Sequence, residues 1–301
     1  MACIGGTNNC QNTLSVCYTN ARGLRNKTSE LSLMVDELSP DIIVVTETWF
    51  TADIEYSVIA GYICIRSDRV LSRKEGSIMS YVRDHFRIQS IISEAYASGT
   101  CEVACCKIKS RNGLVTLGGI YRSPCCLADD FILRHICYWS MAECCFIIGD
   151  FNAPHINWIE LTASGGGFDS DLLSTVVQCA LVQCMAKPTH TDLKHDPSLL
   201  KLALTHHCED VFDIQHLPSL VNSDHVVLYF KFRTHGIQFV SAPPRPVVWR
   251  ANILAIRVCA ISTDWSIEAD GPIEGEWDKF KATFESVMSP FIPWSARKLS
   301  H

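Results

Sequence analysis

Four apolar runs in this chain stop or start at a residue able to hold a metal ion or a phosphate, and that coupling narrows the fold more than any other feature. Residues 42–45 run into Glu47, 114–120 into Tyr121, and 144–149 into Asp150 and Asn152, while Ser223-Asp224-His225 opens the run 226–232. Runs of this length, rich in Ile, Val and Cys, read as buried strands. Strand ends that converge on one rim make a site held by a rigid scaffold. Glu, Asp, Asn and His gathered there suit a divalent metal and a phosphodiester. Hard oxygen ligands hold magnesium, and a histidine moves protons or contacts phosphate.

The same periodicity predicts further strands at 14–18 (ending at Asn20), 41–46, 62–65, 77–82, 88–92, 103–108, 199–205 and 211–214. Helices are expected where Leu31, Met34, Val35 and Leu38 share a face before Pro40, where Phe131 to Trp139 repeat, and over 171–185 after a Gly165-Gly166-Gly167 loop. Many strands are consecutive and helices interrupt at long intervals. That order suits two sheets packed as a sandwich and flanked by helices, not a strictly alternating parallel fold. Residues 1–13 read as a loose leader and 14–235 as the main domain. Residues 236–301 read as a Pro-rich linker (Ala242-Pro243-Pro244-Arg245-Pro246, unable to sustain a ladder) and a helical segment with Trp277, Phe280, Phe284, Val287 and Met288 as its stripe.

With 48% hydrophobic and 19% charged residues, the chain can bury a large core and is not disordered throughout. No apolar stretch nears the ~20 residues that span a bilayer, and no secretory or targeting signal is readable. An intracellular protein away from membranes is expected. A net charge of −6 argues against a nonspecific basic coat for nucleic acid but leaves room for a local basic groove. The 16 cysteines include three adjacent doublets and no Cys-x-x-Cys pair, so they read as small buried hydrophobes and not as zinc ligands or a disulfide framework. His206-His207-Cys208 is the one clustered trio of soft ligands.

Each polar motif is weak alone. Glu47 after a strand is an ordinary surface carboxylate by itself, and Tyr121 an ordinary buried tyrosine. Asp150-x-Asn152 is more pointed, because side chains two apart project into the same rim. The order and joint occurrence at strand ends carry the signal.

The chain resembles the endonuclease domain of non-LTR (LINE-type) retrotransposons, within the exonuclease–endonuclease–phosphatase family that includes the apurinic-site endonucleases. The matching stretches are Tyr18-Thr19-Asn20-Ala21-Arg22-Gly23, Thr46-Glu47-Thr48-Trp49, Gly118-Gly119-Ile120-Tyr121-Arg122-Ser123-Pro124, Gly149-Asp150-Phe151-Asn152-Ala153-Pro154-His155 and Ser223-Asp224-His225. The resemblance implies a four-layer α/β sandwich of two mixed β-sheets flanked by helices. It implies Mg2+ or Mn2+ bound by Glu47, with Asn20 and Asp224 at the metal side. Asp150 would activate water, Asn152 would hold the scissile phosphate, and Tyr121, Arg122, Ser223 and Thr189 would contact phosphate. His225 would stabilise the pentavalent phosphorus. His190, after Thr189, stands where the family usually has Arg. The implied partner is DNA, nicked in the nucleus to leave a 3′-hydroxyl that primes a reverse transcriptase. An intact element carries that polymerase downstream, and this chain does not include it.

One departure from the family pattern matters. In Ser198-Leu199-Leu200-Lys201-Leu202-Ala203-Leu204-Thr205, Lys201 occupies the place of an Asp that orients the catalytic His. Alternation puts Leu200, Leu202 and Leu204 on one face and Lys201, Ala203 and Thr205 on the other. Three readings stay open: an active or impaired endonuclease, a catalytically inert remnant, and a phosphodiesterase of the same fold acting on a lipid or inositol headgroup.

Overall fold

The computed structural model describes residues 10–51, 58–69, 76–96, 100–111, 113–126, 128–185, 200–220, 223, 225–238, 245–246, 248–266 and 273–295. In chain order, β1 (Cys10–Asn20), α1 (Thr28–Leu38), β2 (Ile42–Thr46), β3 (Tyr62–Ser67), β4 (Ile78–Arg83), β5 (Ile88–Ala95), β6 (Cys101–Lys109) and β7 (Leu114–Arg122) precede α2 (Asp129–Ser140). There follow β8 (Cys144–Asp150), a short hairpin of β9 (Ile156–Asn157) and β10 (Thr162–Ala163), then α3 (Phe168–Gln178) and β11 (Val182–Gln183). Next come β12 (Lys201–Thr205), β13 (Val211–Leu217), β14 (Val227–Gln238), β15 (Arg245–Pro246), α4 (Ile253–Ser262), α5 (Ile273–Met288) and β16 (Trp294–Ser295).

Two six-stranded sheets result, ordered β13-β14-β1-β2-β4-β3 and β11-β12-β8-β7-β6-β5. Each is antiparallel except for one central parallel pair, β1 with β2 and β7 with β8. Parallel neighbours end at the same rim, so the residues that follow β1 and β2, and those that close β7 and β8, emerge side by side. One apolar layer (Leu14, Val16, Val44, Ala104, Phe146, Ala203, Phe230) fills the space between the sheets. A second joins the β7–β8 sheet to α2 and α3 through Ile132, Ile136, Trp139, Leu172 and Leu202. A third joins the β1–β2 sheet to α1 through Leu31 and Val35. The architecture is the four-layer α/β sandwich expected above. Leu202 and Ala203 lie in different layers, as strand alternation requires.

Several boundaries differ from the sequence reading. The first strand begins at Cys10, inside the expected leader, because Cys10 and Gln11 pair with Gln238 and Ile237 of a β14 that is longer than expected. The third helix ends at Gln178 instead of running to residue 185. Ala180 there adopts φ +51, and the N–H groups of Ala180 and Leu181 donate to Val177 O and Val176 O (3.1 and 2.9 Å). This is a Schellman stop with alanine in the place glycine usually takes, so no glycine announced it. Val177, on this helix, is exposed. Arg245–Pro246, placed in a linker unable to form a ladder, instead pairs over two residues with Trp294–Ser295.

The chain divides into two compact units, Met1–Val240 and Ser241–His301. In the second unit α5 carries the anticipated stripe, with Val287 buried and Trp277, Phe280 and Phe284 exposed and stacked on one another. No described helix is long and apolar enough to cross a membrane.

Candidate active site

The site begins where the two parallel pairs end. Asn20, the last residue of β1, is fully buried, and its amide bridges the sheets: Nδ2 donates to Glu47 Oε1 (2.8 Å) and to Asp150 Oδ2 (2.9 Å). Its Oδ1 accepts from the backbone N–H of Arg22 (3.1 Å). Three of the four bonding directions of the amide are thus engaged, both N–H groups among them, and two carboxylates from different sheets are held together by a neutral group.

Glu47 follows β2 in a left-handed conformation (φ +51), as do Arg22 (+42) and Trp49 (+57). Each such residue costs on the order of 1 kcal/mol or more and persists only where its surroundings fix it. Here the fixing bonds are Ala21 N–H to Thr46 O (2.9 Å), Gly23 N–H to Glu47 O (2.8 Å) and Leu24 N–H to Thr48 O (3.0 Å). Trp49 Nε1 donates to Glu47 Oε2 (3.3 Å). Gly23 lies at φ +90 under the Trp49 ring, where a Cβ would fall 2.6 Å from a ring carbon.

Opposite, Asp150 closes β8 in register with Tyr121 of β7 and Lys201 of β12. A Cβ on Gly149 would sit 1.9 Å from Ile120 O, so glycine lets β8 approach β7 this closely. Burial raises the Asp150 carboxyl to about 6; the charge of Glu47 pushes the same way, while Asn20 and Lys201 pull it down. Burial, then the charges of Glu47 and Asp150, hold the Tyr121 hydroxyl well above its ordinary range. Glu47, Asp150 and His225 offer ligand atoms that all lie within 4.8 Å of one another, and among the described residues this is the cluster of three or more metal-competent side chains.

Ser223 and His225 join from the loop before β14. Ser223 Oγ donates to Asn20 O (3.0 Å) and accepts from the His225 N–H (3.3 Å). Asn152 stands at φ +47, its N–H on Asp150 Oδ1 (3.3 Å) and its Nδ2 on Arg122 O (2.6 Å). Arg122 sits behind this turn. Its Nε donates to Asp129 (2.8 Å), its Nη1 to Asn152 O (3.2 Å), and its guanidinium lies 3.7 Å from the Phe168 ring centre. Those contacts make it a brace for the Asn152 turn.

Lys201 is fully buried on the face shared with Asp150, its Nζ donating to Val226 O (3.2 Å), one residue from His225. Its charge acts on Asp150. Thr189, His190 and Asp224 lie outside the described residues.

Sequence reasoning passed over a buried ion pair behind Tyr121. Arg69 Nε donates to Glu102 Oε1 (2.9 Å), the other Glu102 oxygen accepts from the Ser77 N–H (3.1 Å), and the guanidinium sits 5.6 Å from the Tyr121 ring centre. An acidic residue opening the apolar run 101–108 was the available signal. The His206 trio is not a metal site in this fold, since both His206 ring nitrogens face carbonyl oxygens, Ala180 O and Ala142 O, at 3.2 Å.

No family model and no curated protein matches the chain by sequence. Solved structures do match. The AP endonuclease LMAP of Leishmania major superposes with a TM-score of 0.57 at 12% identity, covering 74% of this chain and 88% of the other. The endonuclease domain of TRAS1, a telomere-specific non-LTR retrotransposon, gives 0.54 at 16%, covering 74% and 99%. An AP endonuclease from Archaeoglobus fulgidus gives 0.54 at 14%, covering 73% and 99%. At such identities the likeness speaks to the fold, and the fold is that of the exonuclease–endonuclease–phosphatase proteins to which the AP endonucleases and the TRAS1 domain belong.

Proposed function

We propose that the chain is a divalent-metal-dependent DNA endonuclease of the retrotransposon type, hydrolysing one phosphodiester to leave a 3′-hydroxyl, with Lys201 holding its activity down. The observation that carries this reading is the Glu47–Asp150–His225 cluster, two oxygen donors and an imidazole within 4.8 Å, bridged by Asn20. The donor set fits magnesium or manganese, because the Asp150 carboxyl, raised by burial and further by the neighbouring Glu47 carboxylate, is relieved by a cation. Glu47 would hold the ion, with Asn20 fixing that carboxylate and Asp224 at the metal side by resemblance. A bound ion would neutralise charge on the phosphate.

The protein's own groups account for the rest. Asp150, with its carboxyl raised to about 6, is ionised at neutral pH and basic enough to take a proton from water. Tyr121 stays protonated and donates to a phosphate oxygen. Ser223, Asn152 and Thr189 complete the phosphate contacts, with Arg122 bracing the Asn152 turn. His225 stabilises the crowded phosphorus.

Product complexes of similar folds support DNA as the substrate: a 3′ phosphatase from Neisseria is bound to a product DNA hairpin and the D. rerio TDP2 to a single-stranded DNA product. The reading places the protein in the nucleus, upstream of a reverse transcriptase.

Lys201 favours a second reading, a folded remnant without catalysis, since its ammonium stands where the resemblance expects a carboxylate beside the histidine. A supercoiled-plasmid nicking assay with Mg2+ and an EDTA control, for the natural chain and Lys201→Asp, separates the two. Metal-dependent nicks that a polymerase extends support the endonuclease. Intact plasmid with both proteins leaves the remnant.

A further inference from the structure

Neighbouring cysteines in the strands of this chain cannot meet one another, because alternation sends them to opposite faces. Cys105 and Cys145 pack into one apolar layer, Cys106 and Cys144 into another. Cys137 and Cys179 stand otherwise. Cys137 lies exposed on α2, next to the inward Ile136, and Cys179 caps the C-terminus of α3. The Cys179 thiol donates to Cys137 Sγ at 3.5 Å, so two helices bring sulfurs 42 positions apart in sequence into van der Waals contact.

Two further features hold the pair in place. The Cys179 N–H donates to Thr175 O (2.9 Å), and the left-handed Ala180 stops the helix immediately after it. His206 ties the two helix ends together, its ring nitrogens facing Ala180 O and Ala142 O at 3.2 Å. The pair is also remote from the candidate active site. Helix α2 leaves the rim after Arg122 and returns the chain to Cys144 at the start of β8, so its last turn lies at the far end of the sheet from Asp150.

We propose that Cys137 and Cys179 form a surface dithiol site that exchanges with small disulfides of the glutathione type and closes into a reversible covalent staple between α2 and α3. The order of events follows from access: Cys137 is exposed, whereas Cys179 is half-buried against the core beneath the two helices. In the first step the Cys137 thiolate, its proton released to water, attacks one sulfur of glutathione disulfide. A protein–glutathione S–S bond forms, the external S–S bond breaks, and one glutathione thiolate leaves and takes up a proton. In the second step the Cys179 thiolate attacks Cys137 Sγ, the staple forms, and the second glutathione leaves in the same way. Two protein thiols lose two electrons, and one glutathione disulfide becomes two thiols.

Closing the bond asks little of the fold. Bonded sulfurs stand about 2.05 Å apart, so this pair must approach by about 1.5 Å. The closed loop, from 137 to 179, contains β8 with Asp150 and also Asn152. A loop of that length predicts a melting temperature higher by roughly 5–15 °C.

The test uses the full folded chain, reduced and then incubated with glutathione disulfide at about pH 8, where a free thiol is partly ionised. Peptide mapping by mass spectrometry without reductant should find a Cys137–Cys179 linked peptide, together with the rise in melting temperature, and dithiothreitol should reverse both. Cys179→Ser should halt the reaction at glutathione on Cys137, and Cys137→Ser should show neither the link nor the rise. A natural chain that stays reduced, or that keeps glutathione on Cys137 with no linked peptide, overturns the proposal. So does a link that forms only in denaturant, Cys137 joined instead to the exposed Cys125 or Cys208, or a linked chain that melts no higher than the reduced one. None of these readouts depends on nuclease activity.

Discussion

The two sides of the rim treat charge in opposite ways. On the β1–β2 side, Glu47 is held by the neutral Asn20 amide and a set of left-handed residues. On the β8–β12 side, Asp150 has the ammonium of Lys201 as its register neighbour, and the same cation reaches the backbone beside His225. Both sides present their carboxylate at a strand end, but one sets a neutral amide beside it and the other a buried cation, so scaffold geometry and charge balance are separable layers of a site like this.

The largest effect should come from removing that asymmetry. Under the proposed function, Lys201→Asp should raise single-turnover nicking, by up to about 10⁴-fold on the analogy of losing an orienting aspartate in a Ser-His-Asp triad. A carboxylate there favours the protonated, oriented form of His225, whereas a nearby ammonium disfavours it. Equal or lower activity across a pH series would mean that Lys201 assists catalysis or acts away from His225.

Breaking the other side should erase the gain. Glu47→Gln in the Lys201→Asp background should return Mg2+-dependent nicking to background with an unchanged circular dichroism spectrum, because magnesium keeps few protein ligands and the loss of one carboxylate is severe. Retained Mn2+ affinity in that variant would remove Glu47 from the metal site.

A smaller effect tests the charge balance without any substrate. The folded-state carboxyl of Asp150 is raised from 3.8 to about 6, so its protonated form favours folding. That contribution is complete below about pH 4 and is lost as pH rises through 6. The stability of Asp150→Asn relative to the natural chain should therefore grow between pH 4 and pH 8, in EDTA, by up to about 3 kcal/mol. Denaturant titrations at the two pH values measure it, and a flat difference would mean that Lys201 fully compensates the burial.

The smallest change expected is from shortening the chain. Because β14 pairs with β1 out to Gln238 and the first compact unit extends to Val240, a chain of residues 1–240 should melt within a few degrees of the full protein, whereas ending at 235 severs that pairing. A large loss in the 1–240 chain would make the second unit part of the first one's core.

Much of this was legible before any coordinates. The strands and the first two helices follow from period-2 and period-3.6 spacing, since a half-buried element writes its burial pattern directly into the sequence. The positions of Glu47, Tyr121, Asp150 and His225 at strand ends were visible for the same reason. The end of α3 was not, because Ala180 makes a stop that glycine normally signals. The partners of Arg122 were hidden as well: Asp129 and Phe168 lie 7 and 46 positions away.

The sequence by itself determined which residues alternate, which runs are buried, and that polar groups suited to metal and phosphate close those runs, because such patterns are local. Only the tertiary structure decided that the one parallel pair in each sheet ends at a common rim, so that Asn20 can join Glu47 to Asp150. It also set Lys201 beside Asp150. Those contacts depend on sheet register and crossover, which place residues tens to more than a hundred positions apart within a hydrogen bond of each other, and no local spacing encodes that choice.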